Sequence, residues 1–502
     1  MAIFDTSAQS RTPHMWLWVC LLGVVPLCLT PVVPLYDFYA HVARYYALAQ
    51  LGQEGWLAEN YAAAWRILPN IGLDVVGFAV MSVVPPVLGA KLIAGLVVFA
   101  PFFGVLRLSR ALDGQIPVLT CLLGGMVMYS YVLGWGFSGF LFGLGVGFWA
   151  LAVWIEGADR PVRQVCIGAV FGVVLLLMHG FVFALWGLLL CTVEFARGGV
   201  WRGLRLVIVA LPATLMFLAS PTVSESVGVT TALTNLAGHA EAGGLLARLW
   251  DEVLQRGDSL LRVSESRYVW ADRGVGLVLW ALLGVALWRG WIRVVPVMRW
   301  AVVLAAALVV LVPPNLFGVG YLDDRMPVVL LCLLAASVRA QTDAARGLQG
   351  AFLVLFVVHQ GLVSVGWAQD GRLYRAYLAQ VSALDARGGL AIAVHDAEGP
   401  DRDAHRQCRP LAPLLLLTQG TAVNTFANPS QQPLRLQGPL DAAWGKARAA
   451  RRGAGPADAA TVAQLHAIGF DTVVACPPVA PAVAGTIVQI STGAMVVDIA
   501  GR

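Results

Sequence analysis

The feature that most constrains this chain is the recurrence of apolar stretches long enough to cross a bilayer, for which a helix needs about 20 residues. They lie near residues 16–34, 87–106, 116–133, 139–156, 164–178, 180–196, 203–219, 274–290, 297–313, 326–339 and 349–366. Inside lipid every backbone N–H and C=O must find its partner within the protein, so runs of this kind fold as helices. Composition agrees: 58% of the residues are hydrophobic and 13% are charged, where soluble domains carry about 25% charged residues. With a mean hydropathy of +0.74, the chain reads as a polytopic α-helical membrane protein. Its first run follows Arg11, exceeds a signal-peptide core and lacks a small-x-small cleavage site before Tyr36, so it is expected to remain as the first membrane helix.

The net charge of +5 comes from arginines that fall in alternate gaps between the runs: Arg107 and Arg110, Arg160 and Arg163, 197–205, 289–299, Arg339 and Arg346. That is a topology signal, and no basic patch interleaved with aromatics points to nucleic acid. Near-exclusive use of arginine over lysine, with abundant Ala, Gly and Val, points to a GC-rich bacterial genome. The positive-inside rule then gives about eleven crossings with the N-terminus cytoplasmic and the C-terminus outside. This closes only if residues 71–86, which contain Asp74 and end in Pro85-Pro86, form a kinked outer piece; if they cross, there are twelve helices and the later orientations invert. Residues 1–369 are thus expected to be a transmembrane domain, with a first outer loop at 35–86 and a long one at 220–273. Composition changes after Asp370, and 370–502 read as a small soluble α/β domain, periplasmic in a bacterial inner membrane, with strands expected in GGLAIAVHD, LAPLLLLTQG and GFDTVVAC. Six of the cysteines lie in apolar runs; Cys408 and Cys476, in the tail, either pair in an oxidising compartment or stay free.

Few charges interrupt the apolar pattern, and an ionisable residue in such a place is a site candidate. In PLYDFYAHVARYY, Asp37, His41 and Arg44 are spaced i, i+4, i+7, one face of a helix. The tyrosines around them, Tyr36, Tyr39, Tyr45 and Tyr46, suit a helix lying at the headgroup level. There the stripe is either an acid and two bases paired with one another, or a carboxylate at the edge of a membrane cavity with cations beside it. Asp74 in NIGLDVVGF either caps a helix or meets Arg66. Asp323 and Asp324 in YLDDRMP are explained by helix N-capping, whereas Arg325 in the same turn opposes the helix dipole and calls for an anionic partner. His179 in LLLMHGF is either a hydrogen-bonded structural histidine or a ligand contact. The spacing of Gly139, Gly143 and Gly147 marks close helix packing. Leu245 to Leu261 should form an amphipathic helix over the outer surface, and the charges of its loop, from Glu225, His239, Glu241 and Arg248 through Asp251 and Glu252 to Arg273, read as a solvated face.

An acid just after the first membrane helix, in an outer loop of short helices on a polytopic chain with a soluble tail, resembles the GT-C fold of integral-membrane glycosyltransferases. YDFYAHVAR is similar to the D-x-x-x-H-x-A-R element of a widespread set of bacterial GT-C-like proteins, and PNIGLDVVG, LLLMHGF, YLDDRMP and GTAVNTFANPSQQPL resemble other elements of that set. The resemblance implies that Asp37 is the catalytic base and that His41, Arg44, Asp74, His179, Asp323, Asp324 and Arg325 contact substrate. Phe38 stands where some members carry a second acid, so no cofactor is demanded and a divalent cation stays open.

Chemistry points the same way. An outward-facing site has no access to cytoplasmic nucleotide sugars, so the expected donor is a sugar on a polyprenyl phosphate in the membrane lipid. Its phosphate leaves as an anion without a general acid; one base for the acceptor hydroxyl and a positive field for the phosphate suffice. The acceptor is a cell-envelope glycan, lipid or protein, and single-step displacement inverts the anomeric centre. Rival readings are a lipid-linked oligosaccharide flippase, disfavoured by the lack of an obvious internal repeat, a glycan polymerase or ligase, and a non-catalytic subunit.

Overall fold

The computed structural model describes residues 14–198, 200–225, 245–314, 320–382, 389–394, 410–425, 427, 430–450, 459–475, 486–489 and 495–498. The expectations for Arg11, His239, Glu241, Cys408 and Cys476 lie outside them, as do those for the side chains of Glu225, Arg248, Asp251 and Glu252.

Every apolar run named above carries a helix: α1 (Met15–Leu29), then, after α2 (Phe38–Gln50), α3 (Gly55–Asn60) and α4 (Gly72–Met81), α5 (Pro86–Asp113), α6 (Val118–Val127) with α7 (Tyr131–Gly134), α8 (Ser138–Glu156), α9 (Pro161–Met178), α10 (Gly180–Ala196) and α11 (Val200–Leu218). The short α12 (Pro221–Glu225) and α13 (Leu245–Leu261) precede α14 (Val269–Trp288), α15 (Arg299–Leu311), α16 (Leu322–Ser337) and α17 (Ala344–Ser382). Five of the described helices are long and apolar enough to cross a membrane, by length and composition: Pro86–Asp113, the helix from Ser138, Pro161–Met178, Val269–Trp288 and the one from Ala344. The segment 71–86 yields α4, which is 10 residues long and so about 15 Å, half the hydrocarbon thickness of about 30 Å.

Contacts divide the chain into two compact units, and the division cuts through α1, α5 and α17. The first unit comprises residues 1–26, 96–133 and 139–366; the second comprises 27–95, 134–138 and 367–502.

In the first unit, glycines set the closest helix approaches. A Cβ on Gly145 would lie 2.4 Å from the carbonyl of Ala100, and one on Gly104 2.6 Å from the Gly145 oxygen, so α5 and α8 meet backbone to backbone. The expected packing stripe is real: Gly143 faces Met178, His179 and Val182, and Gly147 faces Val182 and Leu175. Two short strands, β2 (Ile292–Val294) and β3 (Val338–Ala340), pair antiparallel with Arg293 opposite Arg339. Arg339 is buried, pairs with Asp113 and donates to the Ser109, Ala336 and Val338 carbonyls, so this topology-marking arginine also clamps the end of α5. The charges of α13 are not merely solvated: Asp258 pairs with Arg262 at 2.8 Å and with Arg273 at 2.7 Å.

The second unit corrects two expectations. LAPLLLLTQG is helical, not a strand: α18 (Leu411–Gln419) ends at Gly420 with φ 68°, ψ 22°. Leucines favour a helix, Pro413 falls in the first turn where its missing N–H costs little, and glycine supplies the left-handed C-terminal position. Nor is α2 a surface helix, since Phe38, Tyr39, Val42, Ala43, Tyr45 and Ala47 are all buried, with α4 and α18 packed against it. The other two tail strands appear as expected, β4 (Ala391–Val394) and β6 (Thr472–Ala475), parallel to each other. β8 (Met495–Asp498) and β7 (Thr486–Gln489) extend the sheet in the order β4-β6-β8-β7.

Within this unit the tail pairs with the segment that follows α3. β1 (Tyr61–Ala63) pairs antiparallel with β5 (Leu434–Leu436). The Tyr61 hydroxyl donates to the Val423 carbonyl at 2.6 Å and accepts from the Val423 N–H at 2.8 Å. Asn60 Oδ1 accepts from Leu440 N, at the start of α19 (Gly438–Ala450). The last helix, α20 (Ala459–Ile468), packs on α19 and on β6.

Candidate functional site

Asp37 occupies the N-cap position of α2, but its side chain makes no capping bond, and it is partly exposed. Backbone contacts fix it instead: Tyr36 N–H donates to Gly134 O at 3.0 Å and Asp37 N–H to Trp135 O at 3.1 Å. That approach requires Gly136, which has φ +83° and where a Cβ would sit 2.6 Å from Phe38 N and 2.8 Å from Asp37 N. The ring of Trp135 packs edge-on against Tyr36, 5.1 Å between centroids.

The stripe expected on α2 is present, and its cation is committed. Arg44 donates from Nε to Asp74 Oδ1 at 2.6 Å, from Nη2 to His41 Nδ1 at 2.9 Å and from Nη1 to the Thr425 carbonyl at 3.4 Å. Arg44 and Asp74 are each 1% exposed. Asp74 therefore meets Arg44 and not Arg66. Burial pushes the Asp74 carboxyl above its ordinary value, against the pull of the guanidinium. The two residues are matched to each other; of the tyrosines placed at the headgroup level, Tyr36, Tyr39 and Tyr45 are core side chains, while Tyr46 is half-buried.

The cluster of the first unit surrounds the start of α16. Tyr321, in the left-handed region at φ 56°, precedes the helix, and neither following acid caps it through a side chain. Asp323 Oδ2 accepts from Gln255 at 3.1 Å and Asp324 accepts from Ser259, both donors on α13. Asp323 Oδ1 is buried with no partner among the described residues. Arg325, 5% exposed, lies in the first turn of the helix beside the Asp324 charge: Nη2 donates to Gly320 O at 3.1 Å, Nη1 faces His179 Nε2 at 3.4 Å, and its guanidinium lies 5.2 Å over the Phe140 ring. His179 adopts an extended φ of −167° between α9 and α10. Burial, then the Arg325 charge, push its imidazole down to about 3, so it is neutral, accepts from Arg325 at Nε2 and carries its proton on Nδ1. That Nδ1 is buried without a partner among the described residues.

Sequence reading missed a buried network in the same unit. Ser264 Oγ lies 2.8 Å from Asp272 Oδ1 and 2.8 Å from His359 Nδ1, while Asp272 Oδ2 accepts from Ser266 N–H and Oγ at 3.0 Å. His359 interrupts an apolar run, the signal that singled out Asp74. Among the described residues no group of three or more His, Cys, Asp or Glu side chains is placed to hold a metal ion.

No protein-family model matches the chain, and no curated protein matches it. Among solved structures, the crystal structure of ArnT from Cupriavidus metallidurans bound to undecaprenyl phosphate aligns with 97% of this chain and 98% of that one, at a TM-score of 0.37 and 14% identity.

Proposed function

We propose that this chain is a membrane glycosyltransferase that moves a sugar from a polyprenyl-phosphate donor to a cell-envelope glycan, lipid or protein acceptor on the periplasmic side of a bacterial inner membrane. The observation that carries the reading is the division of labour on α2. Arg44 is paired with Asp74, and Asp37, half-buried at the start of the same helix, is held there by its backbone on Gly134 and Trp135 and does not cap the helix with its side chain.

In the reaction, the acceptor oxygen attacks the anomeric carbon while Asp37 takes its proton, and the carbon–oxygen bond to the phosphate breaks with both electrons going to the leaving phosphate. His41, Arg44 and Asp74 position the helix that carries Asp37. Arg325 is proposed to meet an anionic group, with His179, Asp323 and Asp324 as further substrate contacts. The test is mass spectrometry of lipid-linked sugars and surface glycans in cells with the wild-type protein, no protein, or Asp37→Asn at equal membrane levels. The expected result is that Asp37→Asn matches the deletion, with a lipid-linked sugar accumulating and a glycan losing one residue; a variant indistinguishable from wild type refutes the assignment.

A further inference from the structure

A cavity of about 330 Å³ opens in the first unit between the end of α8 and the start of α9, lined by Trp154, Asp159, Arg160, Arg163, Gln164 and Phe171 among others. Its volume lies at the lower end of the range for small-molecule sites, about 300–1,000 Å³, which suits a headgroup better than a nucleotide sugar.

The polar side chains around it fall into two classes. Glu156 is taken by Arg107, Nη1 to Oε1 at 2.7 Å, and Gln164 is fixed by its bond to the Trp154 carbonyl at 2.8 Å. By contrast, Arg160, Arg163 and Asp159 have no side-chain hydrogen bond or ion pair among the described residues. Two unmatched guanidiniums at the N-terminus of an 18-residue helix add to the positive end of its dipole, and both favour an anion.

The cavity's setting is that of a membrane edge. It begins where the candidate span Pro161–Met178 begins, Val162 beside it is 77% exposed, and Trp149 is exposed with Arg107 5.5 Å over its ring. Apolar residues with this exposure at the end of a span face acyl chains, and an aromatic with an arginine marks the headgroup level.

We propose that this cavity holds the headgroup of a membrane phospholipid. Its phosphate sits between Arg160 and Arg163, and Asp159 receives the ammonium of an amine-bearing headgroup. The shared chemistry is a phosphate, which a free anion also carries, so the test separates the two sources.

The full-length protein in detergent is titrated with phosphatidylethanolamine, phosphatidylglycerol or inorganic phosphate and read by native mass spectrometry, for wild type, Arg160→Gln/Arg163→Gln and Asp159→Asn. At about a fivefold contribution per arginine, the double variant should lose roughly 25-fold in phospholipid retention. Asp159→Asn should remove a preference for phosphatidylethanolamine over phosphatidylglycerol and leave phosphatidylglycerol binding in place. Inorganic phosphate binding that needs the arginines and displaces both lipids would reassign the site to a soluble anion. Equal retention of both lipids by wild type and the double variant overturns the proposal. All three residues are exposed, so their substitution tests the site without removing a buried contact.

Discussion

Replacing Arg44 by Leu should be among the most damaging single changes in the second unit, and the reason is Asp74 more than Arg44 itself. Both groups are 1% exposed, and their contact is 2.6 Å. Losing one member of such a pair strands the other in a medium that solvates it poorly, at a cost of about 3–5 kcal/mol. The substitution also removes the bonds to His41 Nδ1 and to Thr425 O. The double replacement Arg44→Leu/Asp74→Leu removes the stranded charge along with its cause, and apolar substitutes for a buried pair are often neutral or better. A double-mutant cycle should therefore give strongly non-additive losses, with the double variant more stable than Arg44→Leu alone. The assay is thermal unfolding of the detergent-solubilised protein, followed by retention of a monodisperse peak after heating. Additive losses, or an Arg44→Leu loss below about 1 kcal/mol, would refute the argument, because exposed pairs behave that way. The same cycle separates structure from catalysis: if Arg44 only positions α2, transfer activity should follow the folded fraction.

Gly136→Ala should place a methyl where 2.6 Å separates it from Phe38 N, in a left-handed conformation that itself costs about 1–2 kcal/mol for a non-glycine residue; transfer measured per folded molecule should drop as Asp37 shifts, and unchanged turnover would break the link between that turn and the acid. Stability should fall as the pH drops below about 6.5. His179, held down to about 3 when folded, takes a proton in the unfolded chain over that window while the folded chain does not, so the unfolded state gains on acidification. Melting temperatures from pH 7.5 to 5 should decline in the wild type and less steeply in His179→Gln, and parallel slopes would show that another group governs the window.

Much of the helical framework was legible because bilayer-length apolar runs admit few alternatives, and helices appear at each of them. Periodicity also placed His41 and Arg44 on one face, and their 2.9 Å contact follows from a spacing of three. Misreadings came where local pattern is ambiguous or a distant partner decides. LAPLLLLTQ is a short apolar run that suits strand or helix, and the left-handed Gly420 with its packing on α2 settles it as a helix. Tyr39 and Tyr45 of α2 match an interfacial belt in sequence, yet both are buried, and α4 and α18 pack against their helix. Asp74 lies 30 residues from Arg44, and Tyr61 lies 362 from Val423; neither spacing leaves a periodic trace.

Sequence by itself determined that this chain is built from apolar helices, where their breaks fall, and which few ionisable residues stand out against them. Those properties depend on residue type and local spacing, which set the transfer free energy of each segment. Tertiary structure alone decided which of those charges are spent on each other. Burial makes an unmatched charge costly, so the pairing of Arg44 with Asp74 and the stacking of Arg325 over Phe140 emerge only when distant segments meet. The same meeting joins the tail to the first loop, through strands whose hydrogen-bonding edges are completed only across the β1–β5 ladder.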